Sequence, residues 1–242
     1  MKIMDYEEMN YQSLPHERQW EVSLAFPALM RKTYLWMTLA LVLTGLSAYV
    51  VATNAAISGF LLTHPQIVWV FLIAELALVI GLSAAINKIS LTVATLMFVA
   101  YAVLNGISFS SLFYVYTLGS LATTFLVSAG TFGAMSLVGF FTKTDLSSMR
   151  KFLLMALIGL IIATVVNIFV KSTGLEMILT YVGVLVFVGL TAYDTQKIKQ
   201  MFMSAPDLSE STQKYAVLGA LTLYLDFINL FLYLLRIFGK RN

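Results

Sequence analysis

The feature that most restricts this chain is the distribution of its charges. Seven stretches, at about 34–53, 66–86, 90–113, 119–141, 152–170, 177–198 and 215–238, hold no more than two charged residues each and are otherwise almost wholly apolar. Each is near the ~20 residues that a helix needs to cross a bilayer. The runs are continuously apolar rather than alternating, which speaks against a lipid-facing β-barrel and for helices that satisfy their own backbone. With 242 residues, 60% hydrophobic and 11% charged, there is no room for a sizeable soluble domain. The fold expected is an all-α membrane protein, a seven-transmembrane-helix bundle over residues 33–239, preceded by a polar segment at 1–32.

The same counts exclude several chemistries. No cysteine is present, so thiolate metal sites, iron–sulfur clusters and cysteine nucleophiles are ruled out. The net charge of +3 is dispersed, so a nucleic-acid partner is not expected. With His16 and His64 both outside the runs, a buried haem or histidine-based catalysis has no residue to use. No cofactor is expected.

Orientation follows from the basic residues. On a seven-span topology, Lys171, Arg236, Lys240 and Arg241 fall on one side and the other eleven Lys and Arg on the side of the amino terminus. The amino terminus is therefore expected in the cytosol. The opening residues lack the basic segment and apolar core of a signal peptide, and the expected location is the inner (plasma) membrane. The four prolines lie outside the runs, which predicts unbroken spans. Small residues gather at 128–136 (Ser128, Ala129, Gly130, Gly133, Ala134, Ser136), a composition that lets helices approach closely in lipid.

Three acids lie well inside apolar runs: Glu75, Asp194 and Asp226. A charge at mid-span costs about 2.5–3.5 kcal/mol on insertion scales, so such groups are paired, protonated or beside water. They could serve only as hydrogen-bonded ties between helices, or they could serve transport or gating. On the last run Tyr215, Gly219, Thr222, Asp226, Asn229, Tyr233 and Arg236 recur at spacings of four and three, a polar seam within roughly a 100° arc. A seam of this kind belongs against a partner or cavity, which predicts a central last helix. If Asp194 and Asp226 approach, they cannot both ionise cheaply, and a shared proton is expected, making the pair a pH sensor. Contact at that depth requires either that the run edges are misplaced or that the sixth helix extends past Lys197. Arg236 is a candidate partner for Glu75 by charge, and Lys88 for Asp194; Asn105 and Ser108 could line the same interior.

Five segments carry a resemblance: Arg31-Lys32-Thr33-Tyr34, Tyr101-Ala102-Val103-Leu104-Asn105-Gly106, Phe132-Gly133-Ala134-Met135-Ser136-Leu137, Thr191-Ala192-Tyr193-Asp194-Thr195-Gln196 and Leu223-Tyr224-Leu225-Asp226-Phe227-Ile228-Asn229-Leu230-Phe231. In this order the chain resembles the Bax inhibitor-1 (transmembrane BAX inhibitor motif) family. The resemblance implies a seven-helix bundle around a central last helix, acting as a pH-sensitive calcium leak channel. It maps the family's aspartate pair onto Asp194 and Asp226, which become candidate calcium ligands, its second-helix acid onto Glu75 and its late arginine onto Arg236. Where some members have an arginine at the inner end of the second helix, this chain has Asn87 and Lys88, and lysine lacks the bidentate fork.

Two other functions compete. A Tyr-Asp on one span and an aspartate on the next also resemble intramembrane aspartyl proteases, but Tyr224-Leu225-Asp226 is not their Gly-x-Gly-Asp and no Pro-Ala-Leu follows; an enzyme is not expected. The chain could instead act without conduction, binding other membrane proteins in cell-death or membrane-protease control. Expected partners are calcium ions, membrane lipid and, on that second reading, other membrane proteins.

Overall fold

The computed structural model describes residues 16–64, 66–204 and 209–242, with side chains from residue 25 onward. Readings that fall on Lys2, Asp5, Glu7, Glu8, Pro15, Pro65 and Pro206 lie outside the described residues. The helices are α1 (His16–Thr53), α2 (Ala55–Thr63), α3 (Gln66–Ala85), α4 (Leu91–Phe109), α5 (Leu112–Val115), α6 (Leu118–Phe141), α7 (Met149–Val170), α8 (Thr173–Met203) and α9 (Glu210–Phe238), with a 3-10 turn at Leu146–Ser148. Among the described residues seven helical segments are long and apolar enough to cross a membrane: Ala25–Thr53, Gln66–Ala85, Leu91–Val115, Leu118–Phe141, Leu146–Val170, Thr173–Met203 and Glu210–Phe238.

Local sequence explains where the helices begin. Asn54, Ser90, Thr117 and Ser172 each sit in extended backbone and accept an amide hydrogen from the first turn of the helix that follows. Lys171 ends α7 in the left-handed region, φ 52°, a conformation helices commonly use to stop.

The last helix is central, as its polar seam predicts. Two-thirds of the most apolar window of α9 is buried (67%), against 11% for both α3 and α7. α9 packs against α8, α1, α6 and α4; α3 lies on α4, and α7 on α8. The bundle thus has two flanks, α1/α4/α3 and α6/α8/α7, joined through α9 and through packing of α1 on α8. α3 and α7 turn large apolar side chains such as Trp69, Ile73, Phe152 and Phe169 outward, which suits a helix with lipid on most of its circumference.

Three expectations need correction. Pro27 stands inside α1, and within its membrane-length part, because the helix starts well before the apolar run does; α1 nevertheless runs unbroken through it from His16 to Thr53. The sixth helix extends five residues past the predicted edge at 198, carrying its polar last turns as a continuous helix. Within the small-residue cluster, Gly130 and Gly133 face open space. The close approach is made instead by Gly139, where a Cβ would strike the Ala192 carbonyl of α8, and by Gly183, where it would meet the Tyr233 ring at 2.5 Å.

Candidate functional site

Two contacts set the register of α8 against α9. Gly219 lies beside Ile198, and Gly183 beside Tyr233. The helices therefore run antiparallel, and residue numbers facing each other add to a nearly constant value. On that register Asp226 is level with Thr191, and Asp194 with Thr222 and Leu223. The two aspartates are offset by roughly one helical turn, about 5 Å along the axis. Of the two conditions the sequence set for this approach, inaccurate edges or a longer sixth helix, the structure shows the longer helix: α8 continues past Lys197 to Met203.

Both carboxyls are enclosed. Asp194 is 9% and Asp226 4% exposed. All six residues 191–196 are buried; six consecutive buried positions on a helix mean that neighbours surround it on every side. Gln196 accepts from the Leu146 amide at 2.8 Å and donates to the Thr144 carbonyl at 2.9 Å, tying α8 to the α6–α7 connection. Thr195 donates to Ser136 Oγ of α6 at 3.3 Å. Against this background Asp226 Oδ2 is buried without a hydrogen-bond partner. Asp194 lies about one turn along from Asp226, and Lys197 stands one turn after Asp194 on the same helix; Arg150 opens α7, which packs on α8. Both bases are exposed.

A second polar cluster lies on the other flank of α9. Ser108 donates to Glu75 Oε1 at 2.6 Å, tying α4 to α3. The Tyr224 hydroxyl pairs with Thr44 Oγ1 at 2.7 Å, and its ring meets Phe98 and Tyr101 edge-on. Asn105 Nδ2 donates to the Tyr101 hydroxyl at 3.1 Å, while its Oδ1 is buried and unpaired. Asp226 and Tyr224, two residues apart on α9, thus serve opposite sides of the bundle.

Other sequence-selected residues are placed differently. The expected Lys88–Asp194 pair does not form: Lys88 sits exposed in the α3–α4 turn, and the neighbouring Asn87 accepts from the Tyr215 hydroxyl at 2.8 Å. Nor does Arg236 meet Glu75. It is exposed near the end of α9, its guanidinium 5.4 Å from the centre of the Tyr233 ring. Asn229 donates back to the Leu225 carbonyl of its own helix. Sequence reasoning missed Thr44, Tyr224 and the position of Arg150. Tyr224 was visible within the Leu-Tyr-Leu-Asp segment, whereas nothing singled out Thr44 among the threonines of its run.

The fold and this interior define a multi-pass α-helical membrane protein built around a central helix with a buried carboxyl pair. The family model described as Inhibitor of apoptosis-promoting Bax1 matches residues 27–242, and the chain belongs to that Bax inhibitor family. It is 53% identical over 214 residues to Inner membrane protein YbhL of Escherichia coli, covering 88% of this chain and 92% of that protein. It is also 42% identical to an uncharacterized protein of Borreliella burgdorferi, over 88% of this chain and 92% of that one, and 43% identical to one of Deinococcus radiodurans, over 88% and 90%.

Proposed function

We propose that the protein is a pH-sensitive calcium leak channel of the inner membrane, amino terminus in the cytosol, gated by the Asp194–Asp226 pair and without catalytic activity. The observation that carries this reading is the buried, unpaired Oδ2 of Asp226 on the central helix, one turn from a second carboxyl. An unpaired carboxylate at that depth is costly, and two of them more so. One proton held between the pair relieves the repulsion and links α8 to α9; its loss leaves two like charges in low dielectric. The state of that proton is thereby coupled to how tightly the two helices pack.

Calcium enters as cargo. Calcium takes six to eight oxygen ligands, and among the described residues no cluster of three or more acidic or histidine groups gathers to hold it. Two carboxylates offer at most four oxygens, which suits an ion in transit better than a resident one. The location draws support from the inner-membrane relative and the seven membrane-length helices; the orientation rests on the basic-residue count.

Calcium flux into proteoliposomes containing only this chain tests the reading. A leak that changes between about pH 6 and 8, and whose pH response disappears in Asp226→Asn and in Asp194→Asn, is expected. No flux anywhere in that range would favour a non-conducting regulator, and cleavage of a single-span peptide by the same preparation would restore the protease.

A further inference from the structure

A cleft of about 470 Å³ lies where α6 begins and α9 ends, lined by Thr117, Gly119, Ser120, Thr123, Thr124, Val127, Phe238 and Lys240. It is far along α9 from the aspartate pair. Lys240 closes one side of it, and residues 240–242 pair with the chain around the α5–α6 connection: Thr117 N donates to the Lys240 carbonyl at 3.1 Å, Asn242 N to the Val115 carbonyl at 3.0 Å, and Lys240 N to Ser120 Oγ at 2.7 Å. These bonds hold Lys240 beside the first turn of α6.

Three observations give the cleft a ligand chemistry. First, the amides of Leu118 and Gly119 have no acceptor among the described residues, since Thr117 caps only Ser120 N. Gly119 has open space around it, so an anion can reach these amides at the positive end of a 24-residue helix. Second, residues 112–127 and 236–242 contain Arg236, Lys240 and Arg241 and not one acid. Third, Thr124 is 1% exposed and its Oγ1 is buried without a partner. Helical threonines elsewhere in this molecule, among them Thr33, Thr123, Thr131, Thr164 and Thr191, return their hydroxyls to the carbonyl four residues back. Thr124 does not, and it lines the cleft.

The lining changes along its length. Lysine, free amides and hydroxyls stand at the helix start, and Val127 and Phe238, both exposed, stand on the flank expected to meet lipid. We propose that this cleft binds an anionic phospholipid: the phosphate sits against the Leu118 and Gly119 amides and the Lys240 ammonium, an ester carbonyl accepts from Thr124 Oγ1, and the acyl region follows Val127 and Phe238. A free phosphate would use the first turn and leave Thr124, Val127 and Phe238 unserved, so the change from polar to apolar lining favours the lipid over the ion.

Native mass spectrometry of the detergent-solubilised full chain tests this with dioctanoyl phosphatidylglycerol, dioctanoylglycerol and inorganic phosphate as probes. Retained phosphatidylglycerol adducts are expected, weakened at least about tenfold by Lys240→Glu, kept by Lys240→Arg, and weakened by Thr124→Val. The valine is isosteric and removes an unpaired hydroxyl, so its thermal midpoint should be equal or higher, which separates lost binding from lost fold. Inorganic phosphate displacing the lipid at equal concentration would overturn the lipid assignment. Dioctanoylglycerol retained as well as phosphatidylglycerol, or adducts unchanged in both Lys240→Glu and Thr124→Val, would overturn the site.

Discussion

Glu75 and Asp226 are both acids inside membrane-length helices, at 9% and 4% exposure, yet their surroundings differ. Glu75 receives the Ser108 hydroxyl on the adjacent helix, at the rim of the bundle where α3 has most of its surface turned outward. Asp226 sits on the central helix with one oxygen unpaired among the described residues and a second carboxyl, Asp194, about one helical turn away along α8. A satisfied buried polar group acts as a tie between helices, while an unsatisfied one lowers stability and is retained where it does something else. The contrast marks the first carboxyl as a tie between helices and is what supports the gating role proposed for the second.

The largest expected effect tests the second half of that contrast. Asp226→Asn should flatten the pH profile of calcium flux, with a thermal midpoint close to or above that of the parent chain, because the amide is isosteric, can donate to Asp194 and removes one of two like charges. A collapsed fold would instead make Asp226 a structural tie like Glu75. Next comes the packing that brings the aspartates together. Gly139→Ala places a methyl against the Ala192 carbonyl, two residues from Asp194, and should cost about 1–3 kcal/mol in denaturant unfolding; Gly133→Ala, in open space, should cost close to nothing.

Smaller still, Glu75→Leu leaves Ser108 without its acceptor. Interhelical polar contacts in membranes average about 0.6 kcal/mol with a maximum near 1.7, so a loss of that size in thermal or denaturant stability is expected, with the pH response of the leak intact. A flattened response in Glu75→Leu would break the division of labour. The smallest effect lies outside the spans. Asp145 accepts from the Ser147 amide at 2.9 Å, which holds its carboxyl below the usual aspartate value. A lowered folded value means that this cap contributes above about pH 3.8 and is lost as pH falls through the folded value. The protection of the Ser147 amide, its exchange rate relative to that of an unstructured peptide at the same pH, should therefore fall on strong acidification and stay level between about pH 5 and 8, so this group supplies none of the pH response proposed for the leak.

The seven spans were legible because a bilayer demands length and apolarity, which any chain must display openly. The central place of α9 was legible too, since a seam from Tyr215 to Arg236 on an apolar helix has to face protein. Helix edges were less so: Lys197, Lys199 and Gln200 look like the end of a span, yet α8 carries them onward to Met203. Partners were the least legible. Charge alone suggested Arg236 for Glu75 and Lys88 for Asp194, but pairing depends on depth and on which helices are neighbours, and neither is written in one strand of sequence. Ser108 shares a span with Asn105, and nothing distinguished which of the two would reach Glu75. Gly130 and Gly133 misled for a related reason: small residues permit close approach, but the facing helix chose Gly139.

The account stands or falls on the proton between Asp194 and Asp226. Infrared titration of the carboxyl stretching band in lipid, for the parent chain and for each single Asn variant, reads it directly. One carboxyl proton per molecule, released across the same pH range as the change in calcium leak and absent from that range in either variant, is the predicted result. Two carboxyls that titrate independently, or a pair fully ionised throughout the range in which the leak changes, would contradict it.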